Sequence, residues 1–309
     1  MKTYSSINHI SDDPCVLALG CFDGVHLGHA AVIKEAHKCA DKLNCGCTVW
    51  SFAEPPKNFF LPMPVPLITT EQEKRERIAE LGADTYISVR FTKETADIPA
   101  EDFFIDILKN NLKAIHIVCG YDYSFGKHGK GNIALLSELC KKYNIGLSIV
   151  DPITYNGNEI SSTTIRQALQ NGDIDSANAM LGRPYSLCAE VIHGQGLARH
   201  LGFPTINQEF DVRFVVPKYG VYVTRINVGE GKEPLYGISN VGIRPTVEGE
   251  TLFAETHIFD FSEDLYGKTV KIEFIKMLRV EKKFEDLEKL TIQVNKDIDT
   301  ARQYVASLS

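Results

Sequence analysis

No apolar run in the sequence approaches the roughly 20 residues needed to cross a bilayer, and the polar stretch from Met1 to Pro14 lacks the apolar core of a secretory leader. A cytoplasmic protein with no membrane partner is the expectation. Positive charge is in short supply. With 33 Lys and Arg against 40 Asp and Glu the formal charge is −7, so no global field draws nucleic acid or an anionic membrane. Any phosphate has to be held locally. The eight cysteines form one C-x-C and no C-x-x-C, and all precede the last third of the chain; neither a zinc ribbon nor a disulfide framework fits that distribution. Free thiols in a reducing compartment follow. With 23 Gly and 13 Pro the 309-residue chain is neither collagenous nor of low complexity, and its 44% apolar side chains suffice for cores in about two domains.

The first half alternates short apolar runs with helical stretches. Strands are predicted at Cys15–Leu19, Cys47–Phe52, Thr85–Val89, Ile115–Cys119 and Gly146–Val150, and helices at His29–Leu43, Thr70–Leu81, Ala100–Leu112 and Ile133–Tyr143. Strands separated by helices of that length make βαβ units on a parallel, Rossmann-like sheet. A helix from Thr163 to about Leu181 follows, and then the period changes. Leu187–His193, Val221–Val228, Leu235–Val241, Phe253–Phe261 and Lys271–Val280 are rich in β-formers between Gly/Pro turns, which predicts a small antiparallel barrel. From Phe284 onward Leu287, Leu290, Val294, Ile298, Ala301 and Val305 recur at helical spacing. The change of period puts a domain boundary near Gly182 to Tyr185, giving domains 1–184 and 185–309.

Gly20-Cys-Phe-Asp-Gly-Val-His-Leu-Gly-His29 lies directly after the first strand and directly before the first helix. Glycine there lets backbone N–H groups face an anion, the helix N-terminus adds a favourable field, and His26 and His29 can donate to one phosphate chain. In a chain of this composition H-x-G-H is expected by chance only about 0.02 times, and a strand-to-helix turn is where nucleotides bind in such sheets. The plain alternative is that the two histidines only cap the helix; zinc is disfavoured, because H-E-x-x-H spacing is absent. A second string, Ile160-Ser-Ser-Thr-Thr-Ile-Arg166, puts hydroxyls and N–H groups at a helix start with an arginine one turn inside, either another anion site or an ordinary N-cap.

These two strings together resemble the nucleotidylyltransferase superfamily, and G-x-F-D-G-V-H-x-G-H is similar to the bacterial riboflavin kinase/FMN adenylyltransferases, or FAD synthetases. Gly120-Tyr-Asp-Tyr-Ser-Phe-Gly126 and Leu181-Gly-Arg-Pro-Tyr185 extend the resemblance over essentially the whole chain. It implies an α/β nucleotidylyltransferase domain followed by a small antiparallel riboflavin kinase barrel with a C-terminal helix. By the same resemblance Gly20, Phe22, Asp23, Gly24, His26 and His29 hold ATP phosphates, Ser162, Thr163 and Arg166 close the other side, and Asp122 and Phe125 lie near the flavin or the adenine, with flavin binding the expectation. One departure matters. The family's F-x-P-H-P-like element after the second strand reads Ser51-Phe-Ala-Glu-Pro-Pro-Lys57 here, without a histidine, on what is implied to be the flavin side.

The barrel half opens with Gly194-Gln-Gly-Leu-Ala-Arg-His-Leu-Gly-Phe-Pro-Thr-Ile-Asn207, a glycine-bearing loop into a Pro-fixed turn, where Thr205 and Asn207 can offer oxygens to one hard cation. Without a family this is only a polar turn. No Walker A loop offers a simpler kinase: Gly267-Lys-Thr269 lacks the required upstream glycine, and Gly129-Lys-Gly-Asn-Ile-Ala134 follows no strand. The string is similar to the riboflavin kinase signature G-R-x-L-G-F-P-T-A-N, which implies that Gly196, Arg199, Gly202, Thr205 and Asn207 bind ATP, with Thr205 and Asn207 on Mg²⁺ and His200 near phosphate. Gly237 to Thr246 and Ala254-Glu-Thr-His-Ile-Phe-Asp-Phe261 match further family segments, the latter implying Glu255 as the catalytic carboxylate. Arg279 is implied to help form the flavin loop. Ala198 and Ile206 depart from the signature, one stiffening the loop and the other adding bulk beside the metal oxygens.

The expectation is therefore FAD biosynthesis: phosphorylation of riboflavin to FMN in the C-terminal domain and adenylylation of FMN to FAD with release of pyrophosphate in the N-terminal one. ATP, riboflavin and FMN are the expected substrates and Mg²⁺ the expected ion. A member with one site impaired or redox-selective, and a non-catalytic flavin-binding regulator, are the alternatives. The sequence does not set the oligomeric state.

Overall fold

A computed structural model describes residues 1–6, 13–194, 201–229, 231–246 and 249–308. The chain divides into two compact units, Met1–Thr164 and Ile165–Ser309. In the first, β2 (Cys15–Leu19), β3 (Gly46–Phe52), β4 (Thr85–Val89), β5 (Ala114–Gly120) and β6 (Gly146–Val150) form a parallel sheet, with β1 (Lys2–Tyr4) at one edge beside β4. The strand order is β1-β4-β3-β2-β5-β6. Both faces are covered, which is why the strands read as apolar runs without alternation. Val16, Ala18, Val49 and Tyr86 pack against α1 (Leu27–Leu43) on one face, and Leu17, Leu19, Trp50 and Ile117 meet Phe104, Leu108, Leu136 and Leu139 on the other. Between the later strands lie α2 (Glu71–Glu80), α3 (Lys93–Asp97), α4 (Ala100–Asp102) and α5 (Ile133–Tyr143), and a hairpin of β7 (Thr154–Tyr155) and β8 (Asn158–Glu159) follows β6.

The stretch predicted as one α-helix from Ala100 to Leu112 begins as a turn of α-helix and continues over Phe103–Asn111 as a π-helix. The amide of Leu112 reaches back five residues to the Ile107 carbonyl at 2.9 Å. The helix predicted over 163–181 is two helices, α6 (Ser162–Asn171) and α7 (Ile174–Leu181), broken where Gly172 turns left-handed (φ 81°) and Asp173 caps the next helix.

In the second unit, β9 (Tyr185–Glu190), β10 (Ile206–Glu209), β11 (Gly220–Asn227), β12 (Leu235–Thr246), β13 (Gly249–Ile258) and β14 (Thr269–Val280) form an antiparallel sheet in the order β10-β13-β12-β11-β14-β9. Its two edges meet. The Ile192 amide donates to the Asn207 carbonyl at 2.9 Å, and the buried Gln208 amide donates to the Ala189 and Val270 carbonyls, so the sheet is a nearly closed barrel. Its interior carries a hydroxyl chain, Thr224 to Ser239 to Thr256. On the outer face of β11 and β12, Val221, Val223 and Ile238 pack against Val294, Ile298 and Ala301 of the C-terminal helix Leu287–Ala306. β10 begins inside the stretch read from sequence as a loop into a turn and runs two residues past it.

All eight cysteines are free. Burial pushes the Cys15 thiol up to about 11 and the Cys47 thiol up to about 12, so both stay protonated at neutral pH.

Two candidate active sites

The strand order reverses at β2, whose successors β3 and β4 lie on one side and β5 and β6 on the other. Loops at the carboxyl ends of strands beside such a switch point form the ligand crevice of open α/β sheets. Here these are the loop after β2, residues 20–26, and the turn after β5, residues 121–126. The first is strained. Phe22 (φ 52°), Gly24 (φ 84°) and Val25 (φ 38°) are all left-handed, a costly state for a β-branched residue, and such strain collects at functional loops.

What holds the loop is explicit. The Asp23 carboxylate accepts the Ile68 amide at 3.0 Å, the Gly24 amide donates to Thr69 Oγ1 at 3.2 Å, Ser162 Oγ donates to the Asp23 carbonyl at 2.9 Å, and Ser51 Oγ donates to the Cys21 carbonyl at 2.7 Å. Beneath it Phe22 is buried, and the Gly20 amide donates to the Trp50 carbonyl at 3.3 Å. His26 is the N-cap of α1: its Nδ1 accepts the His29 amide at 3.3 Å. An accepting Nδ1 carries no proton, so the ring is neutral and Nε2–H is its donor. The two imidazoles stack with centroids 3.6 Å apart, and Phe22 meets His29 edge-on at 5.3 Å. The capping alternative is thus correct for His26 Nδ1.

Ser161, not Ser162, caps α6, accepting the Thr164 amide at 3.1 Å. This frees Ser162 for the Asp23 carbonyl. Thr163 is exposed, and Arg166, one turn on from Ser162 along the same helical face, is buried. In the turn after β5, Asp122 is exposed, whereas Phe125 is buried against Phe103 and Tyr123.

The second site follows from strand register. Asn207 pairs with Glu255, Glu255 with Asn240, Asn240 with Val221 and Val221 with Arg279. Side chains paired across a sheet share a face, so five strands present Asn207, Glu255, Asn240, Val221 and Arg279 as one row. All five line a cavity of about 310 Å³, within the range of small-molecule sites. Thr205 and His257, two residues along from Asn207 and Glu255, line it as well. Ile206, falling between Thr205 and Asn207 in the alternation, points away from that face and is absent from the lining, so its bulk does not crowd their oxygens. A Cβ on Gly194 would stand 2.4 Å from Asn207 Nδ2; glycine there lets the backbone pass the amide.

Three further lining residues take no role from the sequence: Asp297 lies in no motif, and Asn240 and His257 stand in the two matched segments as unassigned positions. Asp297, buried on the C-terminal helix, holds Arg279 through Nε at 2.9 Å and a terminal guanidinium nitrogen at 2.8 Å, and accepts Gln293 Nε2 at 2.8 Å. His257 Nδ1 lies 3.0 Å from the Pro204 carbonyl; a carbonyl only accepts, so Nδ1 donates and fixes the turn that leads into Thr205. Asn240 stands beside Glu255. A charged residue on the apolar stripe of the last helix was the available sign for Asp297. For Asn240 and His257 the sign was their place in matched segments, and their roles follow only from the strand register. Of the loop residues implied for ATP, Gly202 forms a left-handed turn (φ 92°), while Gly196 and Arg199 lie outside the described residues, as do His200 and the departing Ala198. Among the described residues no three His, Cys, Asp or Glu side chains are grouped to hold a metal, and no helix is long and apolar enough to cross a membrane.

Comparison with known proteins adds to this geometry. Residues 8–164 match the FAD synthetase family model and residues 181–305 the riboflavin kinase model. The bifunctional riboflavin kinase/FMN adenylyltransferase of Escherichia coli K12 is 35% identical over 98% of both chains, and that of Bacillus subtilis 37% identical over 95% of this chain and 93% of its own. A solved structure from Streptococcus pneumoniae described as a macrolide-efflux protein is 30% identical and superposes with a TM-score of 0.89, covering 98% of this chain and 99% of that one. With two family models matched in sequence order and full-length relatives above 30% identity, the chain belongs to the bacterial bifunctional riboflavin kinase/FMN adenylyltransferase family.

Proposed function

We propose that the chain makes FAD from riboflavin in two ATP-dependent steps: its 185–309 domain phosphorylates riboflavin to FMN, and its 1–184 domain adenylylates FMN to FAD with release of pyrophosphate. The observation that carries the reading is the single row of Asn207, Glu255, Asn240 and Arg279 along one cavity, in a chain that also holds a histidine-bearing anion loop at its sheet's switch point. ATP, riboflavin and FMN are the substrates, with no nucleic acid or membrane partner and a cytoplasmic setting.

In the kinase step Glu255 accepts the proton of the riboflavin 5′-hydroxyl as that oxygen attacks the γ-phosphorus and ADP leaves. Thr205 and Asn207 offer neutral oxygens only, which suits Mg²⁺, an ion that keeps waters and phosphate oxygens as its other ligands. When bound there, the ion offsets charge on the transferring phosphate. Arg279, held by Asp297, faces the flavin end of the cavity.

In the adenylylation step the FMN phosphate attacks the α-phosphorus of ATP. That nucleophile is already anionic, so no general base is needed, and the protein's work is positioning and charge stabilisation. Gly20, Phe22, Asp23 and Gly24 shape the loop, His26 Nε2–H and His29 donate to the phosphates, and Ser162, Thr163 and Arg166 close the far side, with Asp122 toward the flavin and Phe125 supporting that turn from the core. The test is chromatography of products from purified protein with riboflavin, ATP and Mg²⁺, run aerobically and with dithionite. FMN followed by FAD is expected in both runs. FAD only under reduction would assign the missing histidine near Ser51 to Lys57 a redox-selective consequence, and no flavin product in either run would leave a flavin-binding regulator.

A further inference from the structure

Lys74 is 4% exposed, an unusual burial for a lysine, and takes no part in the chemistry above. It projects from α2 (Glu71–Glu80), a helix opened by a reciprocal Thr70/Glu73 capping box. Its ammonium donates to the carbonyl of Phe52, the last residue of β3, at 2.7 Å. Burial pulls its pKa down, against the opposing pull of Cys21, Glu71 and Asp23. Anchoring α2 alone would not call for a cation, since Ile78, one turn further, is already fully buried in the core, and a buried ammonium is costly unless its bonds do something an apolar group cannot.

The chain around Lys74 indicates what that is. Within seven residues, the Ile68 amide holds the Asp23 carboxylate, Thr69 Oγ1 holds the Gly24 amide, and Lys74 holds the Phe52 carbonyl. One short segment therefore grips both the loop after β2 and the end of β3, neighbouring strands whose carboxyl ends open on the same crevice. Phe52 leads into Ala53 to Lys57, the segment where the family's histidine is missing. The Ala53 amide has its own partner, the Val89 carbonyl at 2.9 Å, so the Phe52–Ala53 peptide is held from both sides. We propose that Lys74 is a positioning residue of the adenylyltransferase site, whose buried ammonium fixes the Phe52 carbonyl and through it the 53–57 segment against which FMN binds. This rests on the adenylyltransferase reading of the first unit.

The test compares Lys74→Met with wild type and with Ile78→Val, a mild core change on the same helix, in the full-length protein. Riboflavin phosphorylation reports folding of the other domain, FAD formation by wild type checks the underlying reading, and FMN titration without ATP, followed by flavin fluorescence, reads the two FMN sites, of which the kinase cavity serves as the internal control. Lys74→Met is expected to raise KM and Kd for FMN about tenfold, to leave KM for ATP within twofold and to leave phosphorylation unchanged, while Ile78→Val lowers Tm without moving KM for FMN. Should Lys74→Met not fold, Lys74→Gln keeps a shorter neutral donor and is expected to raise KM for FMN several-fold. An unchanged KM for FMN in the variant measured, or an equal rise in Ile78→Val, would overturn the proposal. Absence of FAD formation in wild type would instead overturn the reading beneath it.

Discussion

At the scale of single residues, what distinguishes Glu255 from an ordinary strand carboxylate is its neighbours. Asn207 and Asn240 flank it in register, and the cavity lies on the same face. Replacing it with glutamine keeps the shape and the hydrogen-bonding reach but removes the basic oxygen. Glu255→Gln should therefore lower kcat for FMN formation by about 10²- to 10⁴-fold, the usual worth of a general base, with KM for riboflavin little changed. Steady-state kinetics with saturating ATP measure the split, and a loss confined to KM would make Glu255 a binding group only.

At the scale of elements, the C-terminal helix does more than cover the barrel, because its Asp297 is what orients Arg279. The pair is largely buried, at 21% and 6% side-chain exposure. Removing one partner strands the other, which costs roughly 3 kcal/mol. Asp297→Ala is expected to lower Tm and to raise KM for riboflavin several-fold. Lys289→Ala on the same helix breaks an ion pair with Glu285 exposed at 57% and 81%, and should change neither by more than the small amount surface pairs contribute; thermal melts alongside kinase assays separate the two.

The same scale explains what was legible in advance. β2, β4, β6 and the helix Ile133–Tyr143 have the bounds expected from sequence, because apolar runs between helices leave little choice of structure. β1 went unread: three residues, Lys-Thr-Tyr, pair only along one edge of β4 and carry no apolar signal. β10 was hidden for another reason, since its four residues become a strand by pairing with β13 nearly fifty positions away. That pairing is also what assembles the kinase row. Its members were nameable from motifs, but their register was not. Lys74 stayed out of sight because a lone polar residue in a helix reads as a solvated face until its partner is known, and His257 and Asn240, although inside matched segments, had no role until their partners were known.

At the scale of the molecule, the anion loop with Ser162 belongs to the first compact unit and every lining residue of the kinase cavity to the second. No described side chain belongs to both sets, although Arg166 of the first set falls within the second unit, so damage to one set should leave the other working. His29→Ala should lose FAD formation and keep FMN formation, and Glu255→Gln should do the reverse when FMN is supplied. A mixture of the two variants given riboflavin, ATP and Mg²⁺ is then expected to make FAD, because FMN released by one molecule is adenylylated on another. The intermediate must first accumulate in solution, so FAD should appear after a lag that shortens as total protein is raised, whereas His29→Ala alone makes none and Glu255→Gln alone makes it only at the rate of its residual kinase activity. A time course by chromatography at three protein concentrations measures it. A mixture that accumulates FMN without FAD would mean that an intact kinase site is needed within the same chain for adenylylation, and the two units would then have to be treated as one catalyst.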